Sequence, residues 1–355
     1  MYRKNYFNFS EQLMNFNKRL ISAFFVTYAL YASFSPVYGC SRLFWNDNKI
    51  AMIAARTMDL YIDEYPTLQV QPMGIAKDGG AKENSIKWTS KYGSVVVTAF
   101  GKAVSDGIND QGLSCHVLYL HVSGYEKRDQ RPALTNALWV QYVLDNYKTV
   151  DEVVNALNQY QVVSMEIAGR NWPLHLVVED VTGDSAVVEF IEGKMVVHHG
   201  KQYTVVTNDP PYNIQLENLK KYKLFGGNLP LPGDTDPLSR FVRVSSFLKT
   251  LTIPSTYREA MAYALGVIRT VQVPFGAENT SGNNLLDAWP TRWITASDLT
   301  NQIYYFNSTT TSPNIAWVEF KNLKFTNGLP VLELDLHDDK VVGEVSAMFK
   351  PKTAT

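Results

Sequence analysis

Residues 20–34 (LISAFFVTYALYASF) form an apolar run that begins directly after Lys18 and Arg19, follows Arg3 and Lys4, and stops at Ser35-Pro36. Val37-Tyr38-Gly39-Cys40 comes next. A basic region, a short apolar region and then small residues is the order of a secretory signal, with Val37 and Gly39 at the two small-residue positions of a cut before Cys40. Fifteen residues fall short of the roughly 20 that span a bilayer, and no later stretch approaches that length. The part of the 355-residue chain that must build a fold is therefore residues 40–355, and its first residue is a cysteine. Loss of residues 1–39 removes four basic groups and Glu11, which moves the net charge from -1 to -4. Two other readings remain: an uncleaved membrane anchor, or a Gly-Cys lipid-attachment box, for which Tyr38 is a bulky residue.

Composition narrows the class of the remainder. With 45% hydrophobic and 19% charged residues, the chain lies far from the low-hydrophobicity, high-charge signature of disorder. Its charge balance excludes a strongly basic nucleic-acid binder. Cys40 and Cys115 allow one intramolecular bridge at most, which excludes a disulfide scaffold.

Hydrophobic patterning gives short strands interrupted by two helical regions. Residues 40–45, a polar turn of about four residues at 46–49, and residues 50–58 read as a hairpin. Residues 94–100 and 113–121 read as strands joined by the turn-rich segment 105–110. Residues 132–147 have helical spacing, and Thr149 with Glu152 forms a capping box ahead of a second helix. Thr182-Gly183-Asp184 joins strands 174–181 and 185–191 as a hairpin, and strands 194–198 and 203–206 follow. Helices are expected over 239–251 and 255–271, and strands over 292–296, 302–306, 315–320 and 331–336. No strict βαβ alternation appears, so antiparallel sheets covered by helices are favoured, in one large α+β domain.

Chemistry-bearing motifs are sparse. The six histidines show no metal-ligand spacing, the pair His198-His199 reads as a solvated turn at a strand end, and no phosphate loop or nucleophile elbow is present. Cys115 sits in an apolar strand pattern as a buried small hydrophobe. Cys40 differs, because a cysteine at a new N-terminus carries a strong nucleophile and a free amine in one residue. An α-amino group titrates at about 7.7–8.0, close enough to neutrality to take the thiol proton.

The segments Cys40-Ser41-Arg42, Ala55-Arg56-Thr57-Met58-Asp59, 107–113 (GINDQGL), 207–212 (TNDPPY), 231–234 (LPGD) and 239–243 (SRFVR) occur in this order across nearly the whole of residues 40–355. In them the chain resembles the choloylglycine hydrolase and penicillin V acylase family of N-terminal-nucleophile amidohydrolases. The resemblance implies a four-layer αββα sandwich and hydrolysis of a linear non-peptide amide, without a metal or organic cofactor. It implies Cys40 as nucleophile, Arg56 beside it favouring a thiolate, and Asp59 orienting the new α-amino group. Asn208 matches the side-chain oxyanion donor, the second donor is a backbone N–H that aligns with Tyr119, and Arg240 matches an arginine that holds the nucleophile's surroundings in register. An aromatic residue at Tyr119 is similar to the acylases. The stretch between Asn208 and Arg240 is shorter than an assembly arm needs, which resembles the Gram-negative branch and leaves a homo-oligomer open. Implied substrates are conjugated bile salts, penicillin V-like amides and N-acyl homoserine lactones. The rival expectation is a non-catalytic envelope protein lipid-anchored through Cys40.

Overall fold

Strands buried on both sides dominate the chain, which is why so many of them read as continuous apolar runs rather than alternating ones. The computed structural model describes residues 39–167, 169–276, 289–311 and 314–353. The expected signal over 1–39 lies, apart from Gly39, outside the described residues.

In chain order the sheet-forming strands are β1 (Cys40–Trp45), β2 (Ile53–Asp59), β3 (Thr67–Gln71), β4 (Ser94–Ala99), β5 (Ala103–Asn109), β6 (Leu113–Tyr119), β7 (Leu174–Asp180) and β8 (Ser185–Ile191). There follow β9 (Lys194–His199), β10 (Val205–Val206), β11 (Thr291–Asp298), β12 (Ile303–Ser308), β13 (Ile315–Glu319), β14 (Leu332–Asp335), β15 (Gly343–Glu344) and β16 (Lys350–Pro351). Two large sheets result. The first runs β10-β1-β2-β11-β12-β13-β15, antiparallel except for its last pair. The second runs β9-β8-β7-β6-β5-β4-β3-β14-β16 and is antiparallel throughout.

Helices α1 (Trp139–Asn146) and α2 (Val150–Ala156) cover the second sheet; α3 (Tyr212–Leu219) precedes α4 (Pro237–Thr250) and α5 (Tyr257–Arg269), which cover the first. The layers are thus α, β, β, α. Strand β4 shows how the two-residue side-chain period builds them. Val95 and Val97 join the core between the sheets with Ala54, Ile108 and Trp293, whereas Val96 joins the core under α1 with Trp139, Val140 and Leu144. Each fully buried valine of this kind contributes about 1.5–3 kcal/mol.

Local signals place the helices. Thr149 caps α2 by accepting from the Glu152 N–H at 3.2 Å, and Glu152 reaches back to the Lys148 N–H at 2.9 Å. Asp236 caps α4 and Thr256 caps α5.

Several expectations need correction. The first hairpin turn spans 46–52 rather than 46–49, because buried Asn48 bonds the Trp45 and Ala51 carbonyls and the Ile50 and Ala51 N–H groups that strand pairing would have used. Segment 105–110 is mostly strand β5, not a turn. Its Asp106 is paired with His116 on the adjacent strand, 2.6 Å away, and its Gly107 is required by crowding: a Cβ there would lie 2.7 Å from the Val95 carbonyl oxygen. The helix expected over 132–147 begins only at Trp139, after a short strand and a 3-10 turn. His198 and His199 end strand β9 instead of occupying a turn; His199 lies 2.7 Å from Asp184 and His198 packs against Tyr212. Strand β3 and helix α3 have no counterpart in the sequence expectations.

Candidate active site

Cross-strand register puts the singled-out residues together. In the β1–β2 pair, Cys40 stands opposite Met58, Ser41 opposite Thr57 and Arg42 opposite Arg56. Cys40, Arg42, Arg56 and Met58 therefore share the face turned toward the second sheet. Arg56 is fully buried, and its Nη2 lies 3.3 Å from the Cys40 Sγ and 3.5 Å from the Met58 Sδ. Its Nη1 donates to the Ser105 and Val117 carbonyls, both at 3.1 Å, and the guanidinium stacks over Trp293. The planar fork is held from three sides, which fixes the charge at the sulfur.

At Cys40, burial opposes the pull of Arg56 toward the thiolate. Burial pushes the Cys40 thiol up, more than Arg56 pulls it down, and Asp59 adds to the rise. Here the Cys40 nitrogen belongs to the Gly39–Cys40 peptide bond, and it donates to Asn208 Oδ1 at 2.5 Å.

Asp59 closes strand β2 beside residue 39. A Cβ on Gly39 would lie 2.6 Å from Asp59 Oδ2, so the carboxyl occupies the amino side of Cys40. Asp59 accepts from Thr291 Oγ1 at 2.6 Å and faces Arg240 Nη1 at 3.8 Å. Burial raises its pKa against the opposing pull of Arg240.

Arg240 reaches in from α4. Its Nη1 donates to the Cys40 carbonyl and to Ser41 Oγ, each at 2.7 Å, and its Nη2 to Asn208 Oδ1 at 3.1 Å. Burial lowers its pKa, against Asp59 and Cys40. One side chain thus ties β1, β2 and the loop after β10.

Asn208 follows the two-residue strand β10, which pairs with the outer edge of β1 at Arg42 and Leu43. Its Nδ2 donates to the Tyr119 carbonyl at 2.7 Å, so one amide hydrogen is committed and one remains. Gln215 of α3 holds this loop, donating to the Asn208 and Pro210 carbonyls at 2.7 Å and accepting from Thr207 Oγ1 at 2.8 Å. All six residues singled out in the sequence therefore meet around one point: Cys40, Arg56, Asp59, Tyr119, Asn208 and Arg240.

A cavity opens on that point, with walls that include Leu60, Phe100, Val117, Ile167, Trp172 and Trp289. Tyr119 meets Trp289 and Trp172 edge-on, at ring distances of 5.7 and 6.5 Å. This is the apolar character of a small-molecule site. Glu64 also lines it. Its Oε1 accepts from Trp293 Nε1, its Oε2 has no hydrogen-bond partner in the protein, and burial raises its carboxyl pKa. Sequence reasoning missed Gln215, Glu64 and the aromatic wall, because nothing in local spacing marks a side chain that acts from another element. Among the described residues, Asp151, Asp184 and His199 could offer ligand atoms to a metal ion, but they share no residue with this cavity.

Sulfur, guanidinium, carboxyl and amide gathered beside an apolar cavity have the parts for acyl transfer from an amide. The family model described as linear amide C-N hydrolases, choloylglycine hydrolase family, matches residues 40–341. A penicillin V acylase of Pectobacterium atrosepticum is 37% identical over 342 residues, covering 88% of this chain and 90% of that protein. The structure of a penicillin V acylase from Agrobacterium tumefaciens superposes with a TM-score of 0.79 at 36% identity, over 88% of this chain and 98% of that one. A mutant conjugated bile acid hydrolase from Clostridium perfringens has the same fold, with a TM-score of 0.70 at 22% identity, over 86% and 98% of the two chains.

Proposed function

Because the chain belongs to the choloylglycine hydrolase family of linear amide C–N hydrolases, we propose that it cleaves an amide of an apolar acyl group, with Cys40 as nucleophile. Residues 1–39 are removed on export, and Cys40 becomes the first residue. The liberated α-amino group then stands beside Asp59, and such a group in its unperturbed form titrates at about 7.7–8.0. It takes the thiol proton as sulfur attacks the amide carbonyl, and passes that proton to the leaving amine. Water then attacks the thioester and releases the carboxylic acid.

Arg56 stabilises the sulfur anion, and Arg240 holds the Cys40 main chain at the correct angle. The second Asn208 amide hydrogen and the Tyr119 backbone N–H serve the oxyanion, each donor worth about 2.7–4 kcal/mol. The observation that carries the reading is the 3.3 Å approach of Arg56 to the sulfur at the mouth of an apolar cavity. Burial of Cys40 to 3% at the start of a core strand argues against its use as a lipid attachment point.

Aromatic walls from Phe100, Tyr119, Trp172 and Trp289 favour a phenoxyacetyl-type acyl group, as do the 37% and 36% identities to proteins named penicillin V acylase. Hydrolysis of penicillin V, a conjugated bile salt and an N-acyl homoserine lactone, compared as kcat/KM with wild type and Cys40→Ala, tests this. The expected result is preference for penicillin V and loss of all turnover in Cys40→Ala. Equal indifference to the three refutes the substrate, and turnover in Cys40→Ala refutes the nucleophile. Intact mass of the mature protein tests the rest: a 316-residue chain starting at unmodified Cys40 is expected, and a lipid-modified cysteine would overturn it.

A further inference from the structure

Register sets two arginines side by side: Arg42 and Arg56 are direct cross-strand partners, both fully buried between the sheets. Like charges so placed repel, and neither can reach water. The second sheet answers with two carboxylates and a histidine. Glu179 accepts from Arg42 Nε at 3.0 Å, while Asp106 lies 3.6 Å from Arg56 Nη1. His116 stands between the two carboxylates, with Nδ1 at 2.6 Å from Asp106 and Nε2 at 2.5 Å from Glu179.

The geometry demands a particular protonation state. Neutral imidazole donates from one ring nitrogen only, and the other would then face a carboxylate with its lone pair. Only the imidazolium satisfies both contacts. The two carboxylates hold His116 charged, up to about pH 9, against the opposing effect of its burial. The other groups facing the cluster are Tyr304, whose hydroxyl donates to Asp106, the Ser114 hydroxyl 3.1 Å from His116 Nε2, and Ser185, which accepts from Arg42.

Distances then decide how the charge of Asp106 is shared. Asp106 is about 1 Å nearer to His116 than to Arg56, and the hydrogen bonds of the Arg56 Nη groups go to two carbonyls and to the sulfurs of Cys40 and Met58. We propose that His116 is a positioning residue for this active site: as an imidazolium clamped between Asp106 and Glu179, it engages the Asp106 charge and so leaves the Arg56 guanidinium committed to the Cys40 sulfur. This rests on the reading of Cys40 as nucleophile.

The test follows the Cys40 thiol directly, by the rate of iodoacetamide alkylation of the mature enzyme against pH, read by intact mass. Cys115 is fully buried and serves as the internal unreactive control. In His116→Gln the Asp106 charge turns to Arg56, and the alkylation midpoint is expected to rise by about one pH unit. In Asp106→Asn/His116→Gln that charge is gone, and the midpoint is expected to return to within about 0.3 unit of wild type. A merely structural histidine gives no such rescue. A folded His116→Gln with the wild-type midpoint overturns the proposal, as does a double variant displaced as far as the single one. Should His116→Gln fail to fold, the wild-type imidazole is read by 15N NMR at pH 7. Two protonated ring nitrogens are expected, and a neutral tautomer overturns the proposal. Alkylation needs no amide substrate, so a chain that shows the shift and rescue yet hydrolyses no amide refutes the proposed function alone.

Discussion

Replacing Arg240 by methionine keeps an unbranched stem but deletes the guanidinium and its charge, at a site where the whole residue is buried. The change removes hydrogen bonds to the Cys40 and Thr235 carbonyls, Ser41 Oγ and Asn208 Oδ1, and strands the Asp59 carboxyl 3.8 Å away. Truncating one member of such a buried pair costs about 3–5 kcal/mol.

The pH dependence carries the sharper test. Asp59 already has a folded-state pKa above its ordinary value, with burial as the cause and Arg240 as the main opposing charge. A carboxyl raised on folding binds more protons in the native state, so its stability contribution is present at low pH and lost as pH rises through the folded value. Without Arg240 that value climbs further. The loss in Arg240→Met should therefore be larger at pH 8 than at pH 5, by about 1.4 kcal/mol for each unit that Asp59 rises. Urea unfolding at both pH values measures it, in the unprocessed 355-residue chain, where Gly39 and Cys40 are still in peptide linkage and no α-ammonium stands beside Asp59. A loss below about 1 kcal/mol, or an equal loss at both pH values, would show that Arg240 does not balance Asp59.

Arg56→Met should raise the alkylation midpoint of mature Cys40 by about 1–3 pH units, with Arg56→Lys in between because an ammonium cannot hold the same fork; an unchanged midpoint would remove Arg56 from the site. Gln215→Leu frees the loop bearing Asn208, so kcat should fall about 10- to 100-fold with KM nearly constant, and a pure KM effect would contradict its positioning role. Trp172→Ala opens the acyl cavity and should raise KM for a phenoxyacetyl amide by about 10-fold at similar kcat, whereas an unaltered KM would place the acyl group elsewhere.

Much of this protein can be followed along the chain because its short-range signals agree with the fold. The cap at Thr149, the Thr182-Gly183-Asp184 turn and the apolar runs read over 94–100 and 174–181 all appear within a residue of where patterning puts them. Segment 105–110 failed for an identifiable reason. Asp106, Gly107 and Asn109 are turn formers by local preference, yet each is buried in or beside β5 by a partner remote in sequence: Asp106 by His116 and Arg56, Gly107 against Val95, and Asn109 through the Leu144 and Tyr147 carbonyls. Helix α3 was missed because its weakly amphipathic sequence is docked from other elements, by the Tyr212 N–H on Glu189, the Tyr212 ring against His198 and Phe241, and Gln215 on the Asn208 loop.

By itself the sequence determined the hairpin that opens the described fold. Strand period and the proximity of residues 40–45 and 50–58 suffice to bring Arg56 and Asp59 back toward Cys40, but the register that pairs Cys40 with Met58 comes from the longer turn that Asn48 holds over 46–52. The state of those groups was decided elsewhere. Whether the sulfur is ionised depends on burial and Asp59 against Arg56 and Arg240, and how far Asp106 draws on the Arg56 charge depends on His116 and Glu179 in the opposite sheet. Electrostatic energy in a poorly polarisable interior varies with distances of a few ångströms between elements that no local pattern relates. Only the packing of one sheet on the other sets those distances.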